Sequence, residues 1–157
     1  MTKIPFRERL KQGKPLLGDG AMGTMLHHEA HAGAHACFDA MNVDDPELVV
    51  SIHKAYIEAG SDIIETNTFG ANRIKLATAG RAQNAELYNR RAVELARLAI
   101  AESGRDDVYI MGAVGPLGVG IHPYGRLSQD EAREVYHEQL SALINGGVDA
   151  LQFETFN

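Results

Sequence analysis

Residues 59–69, AGSDIIETNTF, and residues 146–156, GGVDALQFETF, are two copies of one pattern in this chain. Aligned without a gap, both copies carry the same glycine, the same aspartate and the same closing Thr-Phe pair. Each copy runs from a helix-ending glycine through a short apolar run into polar residues, which is typical of a buried parallel strand that follows a helix. Because side chains alternate along a strand, Glu65 and Asn67 share one face, and Glu154 lies on the matching face of the second copy. The alternative is two ordinary buried strands whose ends merely resemble each other.

Strands and helices alternate along the whole chain, which predicts a parallel sheet with right-handed crossovers. The predicted strands are a brief one that begins at Leu16, then 62–67, 108–114, and a last one that ends near Thr155. Four such units are half of an eight-unit TIM (β/α)8 barrel, whose usual length is about 250 residues. We therefore expect an α/β fold in which residues 1–157 form the amino-terminal half of a barrel. A flavodoxin-like open sheet is the alternative.

Two helices begin with recognisable capping sequences. Asp45 followed by Pro46 predicts an N-cap with proline at the first helical position. Ser128 and Glu131 have the spacing of a capping box. A further long helix is predicted from about Asn84 to Glu102.

The composition excludes several classes of protein. The formal charge is −6 without a basic block, which disfavours nucleic acid or an anionic membrane as a partner. The charged amino terminus lacks the apolar segment of a signal peptide, and no apolar run has transmembrane length. A single cysteine cannot form a disulfide framework, so we expect a cytoplasmic protein.

The glycine-rich stretch at 18–24, GDGAMGT, lacks the lysine and the spacing of a phosphate loop. It places Asp19 at a strand end, before backbone N–H groups near a helix start, and such groups suit a carboxylate or another small anion. The alternative is a tight turn in which glycine is needed for a positive φ.

Asp19, Asn67 and Glu154 are each predicted at the carboxyl end of a strand. Two acids and an amide near N–H donors suit a zwitterionic amino acid, because the acids can bind its ammonium group and the amide its carboxylate. The alternative is that the acids cap neighbouring helices.

Four histidines follow the glycine-rich stretch, and the i, i+4 spacing of some of them could chelate zinc on a helix: His27, His28, His31 and His35. Because Gly33 interrupts this polar segment, we expect a loop or frayed helix that binds no metal tightly. Cys37 is interpreted as a packed thiol rather than a nucleophile.

Four stretches of the chain, in order, match one known family: DGAMGTML at 19–26, the run from Pro46 through ETNTFGAN at 65–72, Gly115-Pro116, and DALQFETF at 149–156. With these stretches the chain resembles the zinc-dependent homocysteine S-methyltransferases, which include the homocysteine-binding domain of methionine synthase. This resemblance implies a TIM barrel that methylates homocysteine to give methionine. It also implies that the amino-acid end of homocysteine is held by these residues: Asp19, the backbone of Gly20, Ala21 and Met22, and Glu154, with a less defined role for Asn67.

The same resemblance implies a zinc ion bound by three cysteines on later strands, which this chain does not contain. Zinc would convert the homocysteine thiol to the thiolate that attacks the methyl donor. The methyl donor itself, and any downstream reductase, folate or corrinoid domain, cannot be read from the sequence. We expect this chain alone to be inactive and to need a partner, either the missing half of the barrel or a second copy of itself. The alternative is a non-catalytic half-barrel scaffold that self-associates.

Overall fold

The computed structural model describes residues 3–29 and 37–156, and in these ranges three short strands form one parallel sheet. The strands are β1 (Ile63–Glu65), β2 (Tyr109–Val114) and β3 (Ala150–Phe153), side by side in chain order. The described α-helices are α1 (Phe6–Lys11), α2 (Met22–Glu29), α3 (Met41–Asp44), α4 (Pro46–Glu58), α5 (Arg73–Ala77), α6 (Ala85–Ser103) and α7 (Gln129–Gly146). The described 3-10 helices are Phe38–Ala40 and Ala82–Asn84. This is an α/β fold with a parallel sheet, as predicted.

The predicted first strand is reduced to a single parallel bridge between Gly18 and Ile63. The carbonyl of Leu17 accepts hydrogen bonds from the N–H groups of Asp62 and Ile63, at 2.8 and 3.0 Å. The helix α2 begins at Met22, so only a few extended residues are available to pair before the chain turns. Three strands and one bridge therefore stand where four strands were predicted.

The predicted helix starts are present. The side chain of Asp45 accepts from the N–H of Leu48 at 3.2 Å, with Pro46 as the first helical residue of α4. The capping box of α7 is complete, because Ser128 accepts from the N–H of Glu131 and the Glu131 carboxylate accepts from the N–H of Ser128. The helix α2 continues through His27 and His28 to Glu29, into the segment that was predicted as a loop or frayed helix.

The main core lies between the sheet and the helices α2, α4 and α6. Ile64 of β1 and Ile110 of β2 are buried there against apolar side chains of these helices, and Ile64 has no exposed surface. A second cluster packs Leu143 of α7 against Val114 of β2. The helices thus cover the apolar face of β1, and the alternate residue Glu65 points to the other side of the sheet.

No helix in the described part of the chain is long and apolar enough to cross a membrane. The cytoplasmic location remains a prediction.

His53 on α4 is fully buried, and both of its ring nitrogens lack a hydrogen-bond partner among the described residues. Burial disfavours the charged imidazolium and lowers the pKa of His53 to about 4. In the unfolded chain the imidazole has its ordinary pKa of about 6.5. The unfolded state therefore binds more protons between these two values, and folding stability falls as the pH drops through this window.

We expect acidification from pH 7 to pH 4.5 to reduce the free energy of unfolding through His53 by on the order of 2 kcal/mol. His53→Leu should flatten this part of the pH dependence, because leucine cannot be protonated. Urea unfolding at several pH values measures the difference between variant and wild type. His137, exposed on α7, provides the control His137→Leu, which should leave the profile unchanged. If the free energy of unfolding falls equally with pH in wild type and in His53→Leu, protonation of His53 is not the cause of the fall.

Candidate functional site

A cavity of about 1080 Å3 opens at the carboxyl ends of β1 and β3. All of the residues predicted from the sequence to form the site line it: Asp19, Gly20, Ala21, Met22, Asn67 and Glu154. These residues come from three distant parts of the chain. The sheet therefore brings the predicted residues to one place, which the two strand-end patterns had indicated.

Asp19 is fixed between the strand bridge and β1. Its backbone N–H donates to the carbonyl of Ile63 at 3.0 Å, and its Oδ2 accepts from the N–H of Glu65 at 3.0 Å. Desolvation by burial raises the pKa of Asp19 to about 7, and the nearby Glu65 and Glu154 carboxylates add to this effect. At neutral pH this carboxyl group is therefore close to half-protonated.

Glu65 is a third carboxylate in the cavity wall, and it was not assigned to the site from the sequence. Burial raises its pKa, and the charge of Glu154 raises it further. Its position on the same strand face as Asn67 was the signal that could have assigned it. None of Asp19, Glu65 and Glu154 forms an ion pair with a lysine, arginine or histidine that the structure describes. Three carboxylates without a basic partner, two of them with a raised pKa, favour binding of a cationic group between them.

Gly20 provides room for Tyr56 of α4. A Cβ atom at Gly20 would lie 2.9 Å from the Tyr56 hydroxyl oxygen, which is too close for an unstrained side chain. Gly20 is not in the left-handed region of φ, so the turn needs glycine for space and not for a positive φ. Desolvation by burial raises the pKa of Tyr56, and the Asp19 charge raises it further.

The start of α2 lies beside Asp19. Met22 is its first residue, and the N–H groups of the first helical turn have no acceptor within the helix. Ala21, Met22 and Gly23 line the cavity. Unpaired N–H groups at a helix start favour a negative group such as a carboxylate.

Asn67 holds a neighbouring segment in place with its side chain. Its Nδ2 donates to the Phe38 carbonyl at 2.7 Å and to Asn42 Oδ1 at 3.3 Å. Asn42 in turn donates to the Asn67 carbonyl at 2.8 Å. The amide N–H groups of Asn67 are therefore directed at protein acceptors, and only its side-chain oxygen is left to meet a ligand.

Two threonine hydroxyls extend the pairing of β1 with β2 beyond the strand. Thr66 Oγ1 accepts from the N–H of Ala113 at 3.1 Å, and Thr68 Oγ1 donates to the Ala113 carbonyl at 2.8 Å. The two hydroxyl oxygens are 2.6 Å apart, so Thr66 must be the donor between them. This arrangement carries the chain from β1 along the cavity wall without losing its contact to β2.

Asp39 and Cys37 complete the wall next to Asn67. The Asp39 carboxylate accepts from the N–H of Gly70 at 2.9 Å, and burial raises its pKa to about 6. Burial also raises the pKa of the Cys37 thiol, so this thiol is not a ready nucleophile.

Within residues 3–29 and 37–156, no group of three or more histidine, cysteine or acidic side chains could hold a metal ion. His27 and His28 are exposed at the end of α2. His31 and His35 lie outside the described residues, so the spacing that suggested a zinc site is not tested.

Comparison with known proteins identifies the family. The sequence profile described as Homocysteine S-methyltransferase matches residues 16–157. The methionine synthases of Mycobacterium tuberculosis and Mycobacterium leprae are each 33% identical to this chain over 147 residues, which covers 89% of the chain and 12% of each relative.

Solved structures agree with the family match. The metallated form of the homocysteine methyltransferase MmuM from Escherichia coli is 28% identical, with a TM-score of 0.80 over 96% of this chain and 57% of that one. Its apo form gives a TM-score of 0.63 at 27% identity, over 94% of this chain and 52% of that one. The chain thus spans just over half of MmuM and about an eighth of the methionine synthases. Because the family match extends over most of its length, the chain belongs to the homocysteine S-methyltransferase family.

Proposed function

We propose that the complete protein transfers a methyl group to the sulfur of homocysteine to give methionine, and that this chain binds the amino-acid end of the substrate. The observation that carries the proposal is the cavity in which Asp19, Glu65 and Glu154 meet beside the start of α2. A family match over residues 16–157 supports the same reaction.

The site residues have complementary roles in this proposal. Asp19 and Glu154 bind the ammonium group of homocysteine, because charge-assisted hydrogen bonds to carboxylates are stronger than neutral ones. The backbone of Gly20, Ala21 and Met22 presents N–H groups to its carboxylate. Glu65 joins the acids as a further source of negative potential, and the side-chain oxygen of Asn67 is left as an acceptor.

The zinc that the resemblance implies needs ligands outside the described residues, which contain no group able to hold a metal. We propose that those ligands lie on the remaining strands of a TIM barrel, of which residues 1–157 form the amino-terminal half. The methyl donor is not determined by the residues that surround Asp19.

Asp19→Asn should change the pH dependence of amino-acid binding. The pKa of Asp19 is raised to about 7 in the empty site, and an ammonium group prefers the ionised carboxylate. The affinity of wild type should therefore fall by about tenfold for each pH unit below 7, whereas Asp19→Asn should bind weakly at all pH values. Titration calorimetry at several pH values measures the affinity of wild type and of Asp19→Asn for methionine, which has no thiol to titrate.

The folded state of this variant can be checked by unfolding. The folded pKa of Asp19 lies above the ordinary 3.8, so the folded state holds this proton more tightly than the unfolded state does. The protonated carboxyl group therefore stabilises the fold at low pH, and this contribution to the free energy of unfolding is lost as the pH rises through about 7. Asp19→Asn should therefore be more stable than wild type at pH 8, on the order of 1 kcal/mol after allowance for solvent screening. Glu58→Gln on the exposed end of α4 is the control and should bind methionine as wild type does. Unchanged binding by Asp19→Asn and by Glu154→Gln would contradict the site assignment.

Asn67→Ala should lower stability as well as binding. The substitution leaves the Phe38 carbonyl without its 2.7 Å donor, and the loss of a buried partner costs about 1–3 kcal/mol. Urea unfolding measures this cost, and calorimetry with methionine measures the affinity. Asn84→Ala, which removes the Asn84 hydrogen bond to the Tyr88 hydroxyl away from the cavity, is the matched control for binding. An Asn67→Ala protein with the stability and the methionine affinity of wild type would contradict both the structural role of Asn67 and its role in binding.

The free edge of β3 supports the proposal of a partner. Phe153 and Phe156 are 54% and 47% exposed, and their rings lie 6.0 Å apart at this edge. An apolar edge strand associates unless something covers it. The partner that we propose is the missing half of the barrel, with a second copy of this chain as the substitute when that half is absent.

The 157-residue chain by itself should scatter light as a dimer or larger species at micromolar concentration. Replacing Phe153 and Phe156 by serine should reduce the association, because the apolar edge is lost. Leu98→Ser, at an exposed position of α6 away from β3, is the control and should still associate. A stable wild-type monomer that unfolds cooperatively would contradict the proposal and favour an open sheet.

A further inference from the structure

The buried side chain of Gln139 on α7 contacts the cavity wall from behind. It is 1% exposed, and its Nε2 donates to the carbonyl of Thr68 at 2.8 Å. Thr68 lines the cavity and Gln139 does not, so this bond joins the wall to a helix on its far side. Gln139 can therefore act on the wall without touching a ligand in the cavity.

The part of the wall held in this way is the turn at 68–72, which follows β1. The Thr68 carbonyl also accepts from the N–H of Ala71 at 3.0 Å, which closes the turn. Asn89 of α6 has no exposed surface, and its Nδ2 donates to the Ala71 carbonyl at 2.7 Å. Buried amides from two different helices thus fix two carbonyl groups of the same turn from outside the cavity.

The residue before Gln139 holds the other end of the turn. Glu138 pairs with Arg73, the first residue of α5, at 3.1 Å, and the two side chains are 35% and 38% exposed. An ion pair that is open to solvent in this way contributes little. The position of the turn relative to α7 therefore depends mainly on the buried bond from Gln139 to Thr68.

Stability alone does not explain a glutamine at position 139. Gln139 Oε1 is buried and has no hydrogen-bond partner among the described residues. Burial of an unpaired amide oxygen costs at least as much free energy as one neutral hydrogen bond contributes. If Gln139 were replaced, the Thr68 carbonyl would keep the N–H of Ala71 as a donor. An apolar residue of similar volume should therefore fold as well, and what the amide contributes is the geometry of the turn.

The geometry of the turn sets where the ligand-facing groups lie. Asn67 precedes Thr68, and its N–H groups are directed at Phe38 and Asn42, which leaves its side-chain oxygen for a ligand. Asn67, Thr68 and Gly70 all line the cavity. Groups that meet a ligand need a supporting layer of packed and hydrogen-bonded side chains to hold them in the productive geometry. Gln139 is placed to be part of that layer.

We propose that Gln139 is a positioning residue for amino-acid binding, and that it acts through Thr68 on the wall from Asn67 to Gly70. Asn89 supports the same turn at Ala71. This inference rests on the proposed function, in which the cavity binds the amino-acid end of homocysteine. Gln139 holds the wall in the conformation that the substrate meets, so less free energy of binding is lost in ordering it.

The test uses the complete protein and compares Gln139→Leu with wild type. Leucine has a similar volume and no N–H donor, so the urea midpoint should not fall. The Kd for methionine, measured by titration calorimetry at pH 8, should nevertheless rise roughly 3- to 10-fold. Leu143→Val is the control, because it removes one buried methylene from the same helix where it packs on Val114. It should lower the urea midpoint and leave the Kd unchanged.

A double-mutant cycle shows whether Gln139 acts through the wall. Asn67→Ala removes the oxygen that is left for the ligand, so adding Gln139→Leu to it should raise the Kd by less than about twofold more. If Gln139→Leu raises the Kd by the same factor in both backgrounds, Gln139 acts elsewhere and the inference is overturned.

Gln139→Glu provides a conservative rescue. Its carboxyl group can donate to the Thr68 carbonyl only when it is protonated, and burial favours the protonated form. The Kd of Gln139→Glu relative to that of wild type at the same pH should therefore approach one as the pH falls from 8 to 6. A ratio that does not change with pH would contradict the role assigned to the hydrogen bond.

Labelling of Cys37 gives a readout that needs no ligand. Cys37 packs against the apolar cluster that includes Ala71 of the turn, so a looser turn should expose its thiol more often. Gln139→Leu should speed the reaction of Cys37 with iodoacetamide roughly 3- to 10-fold, measured by mass spectrometry of the digested protein, and Leu143→Val should not.

These measurements separate the inference from the proposed function. If wild type binds no methionine but Cys37 reacts faster in Gln139→Leu, the proposed function fails and the role of Gln139 in holding the wall stands. If wild type binds methionine and Gln139→Leu binds it with the same Kd, the inference is overturned. Equal labelling of Cys37 in the two proteins would overturn it as well.

Discussion

The hydrogen bond from the N–H of Glu65 to the Asp19 carboxylate is the contact on which the site depends. The chain around Gly18 pairs with β1 through a single bridge, so the backbone hydrogen bonds between these two segments hold the Gly18 segment only weakly. A buried carboxylate that accepts a backbone N–H replaces the missing ladder contact, and it sets the direction in which α2 leaves the sheet. Burial of this carboxyl group raises its pKa, whereas the hydrogen bond from Glu65 lowers it, so burial makes the group responsive to a cationic ligand while the contact holds it in place.

Local chemistry was sufficient to predict several elements. The caps at Asp45 and Ser128 follow from residues within one helical turn, and both are present. The alternation around Ile64 and Glu65 follows from strand geometry, and it placed the polar face toward the cavity. The predicted site residues line one cavity because strand-end polar residues converge in a parallel sheet.

Long-range contacts decided the features that the sequence did not reveal. The tether from Asn67 to Phe38 joins residues 29 positions apart, and nothing local to either residue indicates it. The Lys75 ammonium lies 4.5 Å from the centre of the Phe69 ring, and this pair packs on Gly115 and Gly118, some forty positions later, which nothing local to either residue indicates. The first strand is shorter than predicted because the turn into α2 follows it at once. The two apolar residues Leu16 and Leu17 are too short a pattern to show where such a strand ends.

The hydroxyl pair of Thr66 and Thr68 has a consequence for exchange with solvent. Each hydroxyl hydrogen has one defined acceptor, and both side chains are buried. Such hydrogens leave the protein only when the segment separates from β2, so they should persist in magnetic resonance spectra long enough to be observed. Their exchange rates would report how often the cavity wall opens, alongside the backbone N–H of Thr66, which donates to the Met111 carbonyl at 2.9 Å.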